Sequence, residues 1–185
     1  MTRLTLAAAV LVATVFLAAC GSSGDGETPS PTPQPTASSE ERAYFQELQT
    51  AMRQIRQEST ALADFRSHAF DPGLSEADRQ SRGNDYGSRY AAFASDRQTR
   101  LSAITAPSSM KGLHNRLTDA AAAVQQLSGD LTVRLAAQPV SSASDLNTIF
   151  IELDAATVEQ RFRDACTDLQ RRGSGLGVSV DLACS

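Results

Sequence analysis

Apolar side chains recur every three or four residues along most of the chain after residue 37, which is the spacing of one helix face. The first such stretch begins at Ser38, which has Glu41 three residues on in the spacing of a capping box. It ends before Asp71-Pro72-Gly73, a strong stop signal. This spacing predicts a helix that packs along a seam against other helices. The seam consists of Phe45, Leu48, Met52, Ile55 and Leu62.

Two further helices are predicted between residues 75 and 135. The second follows Ser75, which has Asp78 three residues on, and it continues to Pro107. Its apolar face consists of Tyr86, Tyr90, Phe93, Leu101 and Ile104. The third helix has the clearest pattern. Its apolar face consists of Met110, Leu113, Leu117, Ala120, Val124, Leu127, Leu131 and Leu135.

The fourth predicted helix is a single one, from about Asp145 to Arg172, with Gly173 as its stop. Its inward positions are Leu146, Ile149, Phe150, Ile151, Leu153, Ala155, Val158, Phe162, Cys166 and Leu169. Long helices joined by short turns predict an all-α domain, an up-down four-helix bundle over residues 38–185. About 148 residues are enough for one domain that buries roughly two-thirds of its unfolded surface.

The chain after Gly173 follows another pattern, because Val178, Val180, Leu182 and Cys184 alternate with other residues. In an extended C-terminal tail all four share one side. Two cysteines in an exported domain predict a structural disulfide, here Cys166–Cys184, that adds roughly 3 kcal/mol. The alternative is a redox or metal-binding thiol pair, although neither cysteine lies in a C-x-x-C motif or near a histidine in sequence.

The first twenty residues have the pattern of a secretory signal. Arg3 precedes an apolar run from Leu4 to Ala19, which is shorter than the roughly twenty residues of a membrane-spanning helix. Leu17-Ala18-Ala19-Cys20 resembles the lipobox of bacterial prolipoproteins. The resemblance implies removal of residues 1–19 and a lipidated Cys20. It also implies at least two acyl chains, such as palmitate, which make a permanent anchor on the extracytoplasmic face of the cell membrane. The alternative is an ordinary signal peptide with a chance cysteine.

Residues 21–37 are small, polar or proline apart from two acids, with prolines at alternate positions from Pro29 to Pro35. Such a segment cannot bury a core and favours extended conformations. We therefore expect residues 20–37 to be a disordered Pro/Ser/Thr stalk, which reaches roughly 50 Å when fully extended.

The charge balance limits the partners of the mature chain. Loss of residues 1–19 leaves 16 basic and 21 acidic residues, a formal charge of −5. A mildly acidic, mixed surface offers no basic patch for nucleic acid or for lipid headgroups. We expect no nucleic-acid partner, and a membrane contact made through the lipid anchor.

The two histidines are the first candidates for a site. Asp64 and His68 are four residues apart on the first helix, which makes either half a metal site or an exposed ion pair. Di-iron helical bundles use Glu-x-x-His pairs from two helices, and the sequence contains none. We therefore expect no metal site and no cofactor.

His114 flanks the seam of the third helix. The segment from Leu101-x-x-Ile104-x-x-Pro107 to His114-x-x-Leu117 resembles a turn-and-helix pattern of uncharacterised helical lipoproteins of high-GC bacteria, for which no chemistry is known. His114 is either a histidine packed between helices or, together with Tyr86 and Tyr90, a polar contact for a ligand.

Catalytic motifs are missing from the sequence, which contains no G-x-S-x-G, no H-E-x-x-H and no glycine-rich phosphate loop before a helix. We therefore expect a protein that is not an enzyme. Two functions remain: a non-catalytic interaction module that contacts another envelope protein, and a bundle that binds a small molecule or metal between its helices. An exposed apolar patch favours the first function, and a pocket with converging polar groups favours the second.

Overall fold

A computed structural model describes residues 36–184, which form five α-helices. These are α1 (Ser39–Ala69), α2 (Glu76–Ala103), α3 (Lys111–Ala137), α4 (Ala143–Glu152) and α5 (Ala155–Gly175). Residues 36–184 contain no strand, so the prediction of an all-α domain is confirmed. The predicted signal peptide, Cys20 and the predicted stalk up to residue 35 lie outside the described residues. The prediction that the stalk extends to residue 37 is wrong, because Ala37 is buried in the core and its amide donates a hydrogen bond of 3.0 Å to the Leu176 carbonyl oxygen. Within the described range, no helix is both long enough and apolar enough to cross a membrane.

The starts of α1 and α2 follow from serine caps that the sequence predicts. The Ser38 hydroxyl accepts a hydrogen bond from the Glu41 amide, and the Glu41 carboxylate accepts one from the Ser38 amide, which completes the capping box of α1. Ser75 accepts a hydrogen bond from the Asp78 amide at the start of α2. Such a cap contributes about 1 kcal/mol to stability.

The helices pack around one apolar core. Helix α2 packs against both α1 and α3, and α3 packs against α5. The approach of α2 to α3 is close at Gly87, where a Cβ atom would lie 2.7 Å from Leu135 Cδ1. Among the fully buried side chains of the core are Phe45, Leu48, Leu101, Leu117, Leu131 and Leu169.

The prediction of one helix from Asp145 to Arg172 is wrong, because the chain breaks between α4 and α5. Asp154 has a φ of 50°, in the left-handed region that Asp tolerates better than most residues. The apolar pattern supplies the reason. Buried Leu146 and Phe162 are sixteen residues apart, so at about 100° per residue they would point roughly 160° apart on one continuous helix. The break at Asp154 lets both side chains reach the core.

Two smaller predictions at this end of the chain are also wrong. Ile151, predicted to point inward, is 79% exposed, because it falls on the outer face of α4. Gly173 does not stop α5, which continues to Gly175 and ends in a Schellman motif with Gly177 at a φ of 71°. Gly173 instead admits close packing, since a Cβ atom there would lie 2.8 Å from Val180 and 3.1 Å from Phe45.

The tail after Gly177 folds back along α5 in an irregular, extended path. Leu182 is fully buried, and its amide donates a hydrogen bond to the Gln170 side chain. The structure joins Cys166 and Cys184 in a disulfide, with Cα atoms 5.5 Å apart. The tail therefore contacts α5 at two places: Val180 packs against Gly173, and Cys184 is bonded to Cys166.

Candidate functional site

A cleft of about 400 Å³ lies between α1, α2, α5 and the tail. We call it the arginine cleft, after the three arginines among its lining residues. Its volume falls within the range of roughly 300–1,000 Å³ that is usual for small-molecule sites. Its polar and charged lining consists of Arg56, Ser59, Thr60, Arg97, Glu159 and Arg163. Its apolar lining consists of Met52, Ile55, Ala63, Phe93, Phe162, Ala183 and Cys184.

Arg97 is the central residue of the arginine cleft. It extends from α2 and is only 3% exposed, which is unusual for an arginine. Its guanidinium carbon lies 4.3 Å from the ring centre of Phe162 and 5.2 Å from that of Phe93. Both distances are typical of cation–π contacts. The two rings, one from α5 and one from α2, therefore hold the guanidinium between these helices.

The nitrogen atoms of Arg97 are unequally partnered. Nη1 lies 3.6 Å from the Oε2 atom of Glu159. Nε and Nη2 are buried and have no hydrogen-bond partner among residues 36–184. Each buried donor without a partner costs about 1–3 kcal/mol, and a charged group costs more. The fold therefore holds a cation whose hydrogen-bonding capacity is only partly used.

Glu159 is fixed by a second residue. Its Oε1 atom accepts a hydrogen bond of 2.8 Å from the Tyr90 hydroxyl, while Oε2 faces Arg97. Burial, together with the neighbouring carboxylate, raises the pKa of Tyr90. The hydroxyl therefore stays protonated and remains a donor to Glu159. This chain of contacts directs Glu159 to one edge of the guanidinium and leaves the opposite edge unpaired.

The rim of the arginine cleft carries further positive charge. Arg56 on α1 is exposed, and Arg163 on α5 is half-buried, with Nε and Nη2 both donating to the Gln160 side chain. The lining thus has three arginines and one carboxylate, that of Glu159. At one end the cleft is bordered by Ala183 and the disulfide residue Cys184.

The two tyrosines predicted as ligand contacts have different positions. Tyr86 and Tyr90 stack with ring centres 6.1 Å apart, and both meet the edge of Phe150. Tyr90 reaches the arginine cleft indirectly, through Glu159. Tyr86 is not among the residues that line it. The guanidinium carbon of Arg66 lies over the Tyr86 ring, 6.0 Å from its centre.

His114 lies apart from both tyrosines. It borders a shallow depression with Ile104 at the end of α2, and Tyr90 is fourteen residues earlier, about 21 Å along that helix. His114 is buried, and its Nδ1 atom lies 3.2 Å from the Tyr44 hydroxyl. Burial lowers the pKa of His114. This geometry fits a histidine packed between helices.

Asp64 and His68 form an exposed pair, with Oδ1 and Nδ1 3.8 Å apart. Nowhere between residues 36 and 184 do three His, Cys, Asp or Glu side chains converge as metal ligands do.

Sequence reasoning missed Arg97, although the sequence contains a signal for it. Arg97 lies four residues after Phe93 and four before Leu101, so it falls on the predicted apolar face of α2. A charged residue on such a face is either an error in the predicted phase or a buried charge. The partner Glu159 belongs to a distant helix, so the pair could not be predicted from sequence spacing.

Comparisons of this chain with known protein families, with curated proteins and with solved structures find no match.

Proposed function

We propose that this chain is a lipid-anchored, extracytoplasmic protein of the cell membrane whose helical domain is a non-catalytic module that binds a small molecule in the arginine cleft. The proposal combines the export signal of the first twenty residues with the geometry of the helical domain. Cys20 carries the lipid anchor, and the arginine cleft binds the ligand.

The anchor rests on the sequence. The apolar run from Leu4 to Ala19 and the lipobox-like Leu17-Ala18-Ala19-Cys20 support export, cleavage and lipidation. The proline-rich residues 21–35 support a stalk that holds the domain away from the membrane surface.

We also infer that α1, α2, α3 and α5 form an up-down bundle, with α4 as a short addition. Ion pairs between neighbouring helices support this order. Arg100 near the end of α2 pairs with Glu58 of α1, whereas Arg89, earlier in α2, lies over the ring of Phe65, later in α1. Contacts that run in opposite directions along the two helices are those of antiparallel neighbours. Arg116 near the start of α3 pairs with Asp168 in the second half of α5.

One observation carries the binding function: Arg97 is buried in the lining of a cleft with two nitrogen atoms unpartnered among the described residues. A structural arginine is normally satisfied by its own fold, because the penalty for an unpaired buried charge is several kcal/mol. A group that lacks partners and borders a cleft is instead suited to a partner that arrives from outside. The alternative, an envelope-protein partner, has two large exposed apolar side chains in its favour, Val133 and Ile151.

The anchor is tested by substituting Cys20→Ala and labelling the expressing bacteria with radioactive palmitate. We expect loss of label and an unprocessed chain. Cys184→Ser is the matched control, because it removes a cysteine from the domain and should keep the label. A labelled and processed Cys20→Ala protein would contradict the anchor.

The binding function is tested by thermal unfolding of the lipidated protein in phospholipid nanodiscs, with a panel of small carboxylates, amides, amines, sugars and divalent metals. A compound at a hundred times its Kd adds about 2.7 kcal/mol to stability. Ala63→Trp should fill the cleft and abolish the shift, whereas Ala136→Trp, on the exposed side of α3, should retain it. If no compound shifts the wild-type protein, or if Ala63→Trp leaves every shift intact, the cleft is not the binding site.

A further inference from the structure

We infer that the arginine cleft recognises an amphipathic monocarboxylic acid, whose carboxylate pairs with Nε and Nη2 of Arg97 and whose apolar part lies on Phe93 and Phe162. This inference rests on the proposed function, since it names the chemical class of the small molecule that the cleft would bind.

The geometry of the guanidinium points to the carboxylate. Nε and Nη2 of an arginine lie on the same edge of the planar group, and their two N–H bonds are parallel. This edge forms two hydrogen bonds at once with the two oxygens of a carboxylate. In Arg97 these are the two nitrogens without partners, whereas Nη1 faces Glu159. The unused donors are therefore the pair that matches a carboxylate. Because both nitrogen atoms are buried in the free protein, the ligand has to displace the side chains that cover this edge to reach them.

The charges of the lining agree with an anionic ligand. Glu159 offsets one of the three arginine charges, which leaves Arg56 and Arg163 at the rim. Among the described residues, neither rim arginine forms an ion pair. The two rim charges attract an anion, and they remain closer to solvent than Arg97 does.

The lining also distinguishes a carboxylate from a phosphate. A carboxylate has two oxygens, and the free edge of Arg97 offers two donors. A phosphate group has at least one further oxygen, and the side chains stacked on Arg97 are the apolar rings of Phe93 and Phe162. A third oxygen that faces these rings, and not Ser59, Thr60 or the rim arginines, would lose its hydration without gaining a hydrogen bond, which is unfavourable.

The rest of the ligand should be apolar and partly aromatic. Phe93, Phe162, Ile55 and Met52 supply a continuous apolar lining, and the methionine adapts to ligands of different shape. The aromatic rings favour a flat group that stacks or meets them edge-on. A phenyl ring on a short chain ending in a carboxylate satisfies these conditions.

The experiment compares 4-phenylbutyrate with its uncharged analogue 4-phenylbutanamide, by isothermal titration calorimetry on the lipidated protein in nanodiscs, with empty nanodiscs as the blank. The two probes share the apolar body and differ in charge. We expect the acid to bind at least about tenfold more tightly than the amide. The phosphonate with the same phenyl chain should bind more weakly than the acid.

Arg97→Lys keeps the positive charge and removes the paired donors, so the preference for the acid over the amide should fall towards one. Arg89→Lys is the matched control, because Arg89 is an exposed arginine of the same helix outside the cleft, and it should keep the preference. If Arg97→Lys fails to fold by circular dichroism, Arg56→Gln and Arg163→Gln replace it. Each should weaken binding of the acid about twofold to fivefold and leave the amide unchanged.

The outcomes separate the two proposals. Equal affinity for acid and amide would overturn the carboxylate inference and leave the cleft as a binding site. A phosphonate that binds more tightly than the acid would also overturn it. If neither probe binds, and the panel of compounds gives no shift that Ala63→Trp abolishes, the proposed function fails as well. Loss of the preference in Arg97→Lys, but not in Arg89→Lys, supports the inference.

Discussion

Arg97 and His114 are both ionisable groups buried among the helices, yet they differ in how their hydrogen bonds are used. His114 is small, can lose its charge, and lies next to the one hydroxyl that its Nδ1 atom needs, that of Tyr44. Arg97 cannot lose its charge under ordinary conditions, and two of its nitrogen atoms lack partners among the described residues. The comparison teaches that burial alone does not identify a binding residue. Arg97 differs from His114 in its two unused donors, and the proposed binding role rests on that difference.

The largest loss of stability is expected from Cys184→Ser, a substitution at the edge of the arginine cleft. Loss of the Cys166–Cys184 bond frees the tail that borders the arginine cleft. Because the bond closes a span of eighteen residues, we expect a loss of about 3 kcal/mol, or roughly 6–12 °C in Tm. Differential scanning calorimetry measures the loss. Reduction of the wild-type protein should reproduce it, and the variant should not respond to the reductant. A variant that melts with the oxidised wild-type protein would show that the tail adds nothing.

The second prediction concerns His114, whose Nδ1 atom has a hydrogen-bond partner. His114→Leu keeps the volume of the side chain but leaves the buried Tyr44 hydroxyl without a partner, so it should destabilise the domain by about 1–3 kcal/mol. Urea unfolding followed by circular dichroism measures this loss. The double variant Tyr44→Phe, His114→Leu removes both polar groups and should recover part of it. A double variant as unstable as the sum of the single ones would show that the two groups do not interact.

The third prediction is that substituting Arg97, unlike substituting His114, does not destabilise the domain. Arg97→Met removes two unpartnered buried donors and keeps an unbranched apolar stem against Phe93 and Phe162, so stability should stay the same or rise by about 1 kcal/mol. Glu159 tolerates the loss, because its side chain is 29% exposed and keeps the Tyr90 hydroxyl. The same urea titration measures the change. A loss of 3 kcal/mol or more would make Arg97 a structural residue like His114.

Much of the fold follows from the sequence, and the failures have a common cause. Serine caps and stop signals are local, so the bounds of α1 and the start of α2 could be predicted closely. Helix α2 ends at Ala103 and not at Pro107, and α3 starts without a side-chain cap. The sequence also indicates the break at Asp154, because Leu146 and Phe162 would point in nearly opposite directions on one helix. Identifying the apolar residues one by one does not reveal this difference. The angular positions of the apolar residues around the helix axis have to be compared over the whole segment.

The candidate site was harder to predict, because its parts lie far apart in the chain. The disulfide could be predicted, since only two cysteines remained and each had an apolar neighbourhood. Arg97 and Glu159 come from α2 and α5, and neither belongs to a motif of fixed spacing. The prediction named histidine and tyrosine side chains because these are common in binding sites. The proposed site instead centres on Arg97, a charged residue on an apolar helix face.

The smallest effect expected is a pH dependence of the free energy of unfolding that arises from His114. Burial lowers the pKa of His114, so the unfolded chain takes up a proton near its ordinary value of about 6.5 while the folded chain does not. The free energy of unfolding should therefore fall as pH drops from about 6.5 towards the lower pKa of the folded state. Two carboxylates of the same domain also have shifted pKa values. The hydrogen bond from the Ser38 backbone, then that from Ser109, lowers the pKa of Glu41, so its contribution is lost only below about 4.5. Burial and then Asp96 raise the pKa of Glu58, which acts in the opposite direction.

The difference between the wild-type protein and His114→Leu isolates the histidine, because both proteins carry the same carboxylates. Urea unfolding at half-unit steps from pH 5 to pH 7.5 should show the two stability curves converging as pH falls below about 6.5, by up to about 1.4 kcal/mol if burial lowers the pKa by one. Arg97→Met should run parallel to the wild-type protein over the same range, because a guanidinium does not titrate there. Parallel curves for His114→Leu would mean that the folded protein protonates His114 as readily as the unfolded chain does, and the contrast between a satisfied neutral group and an unsatisfied charged one would then rest on Arg97 alone.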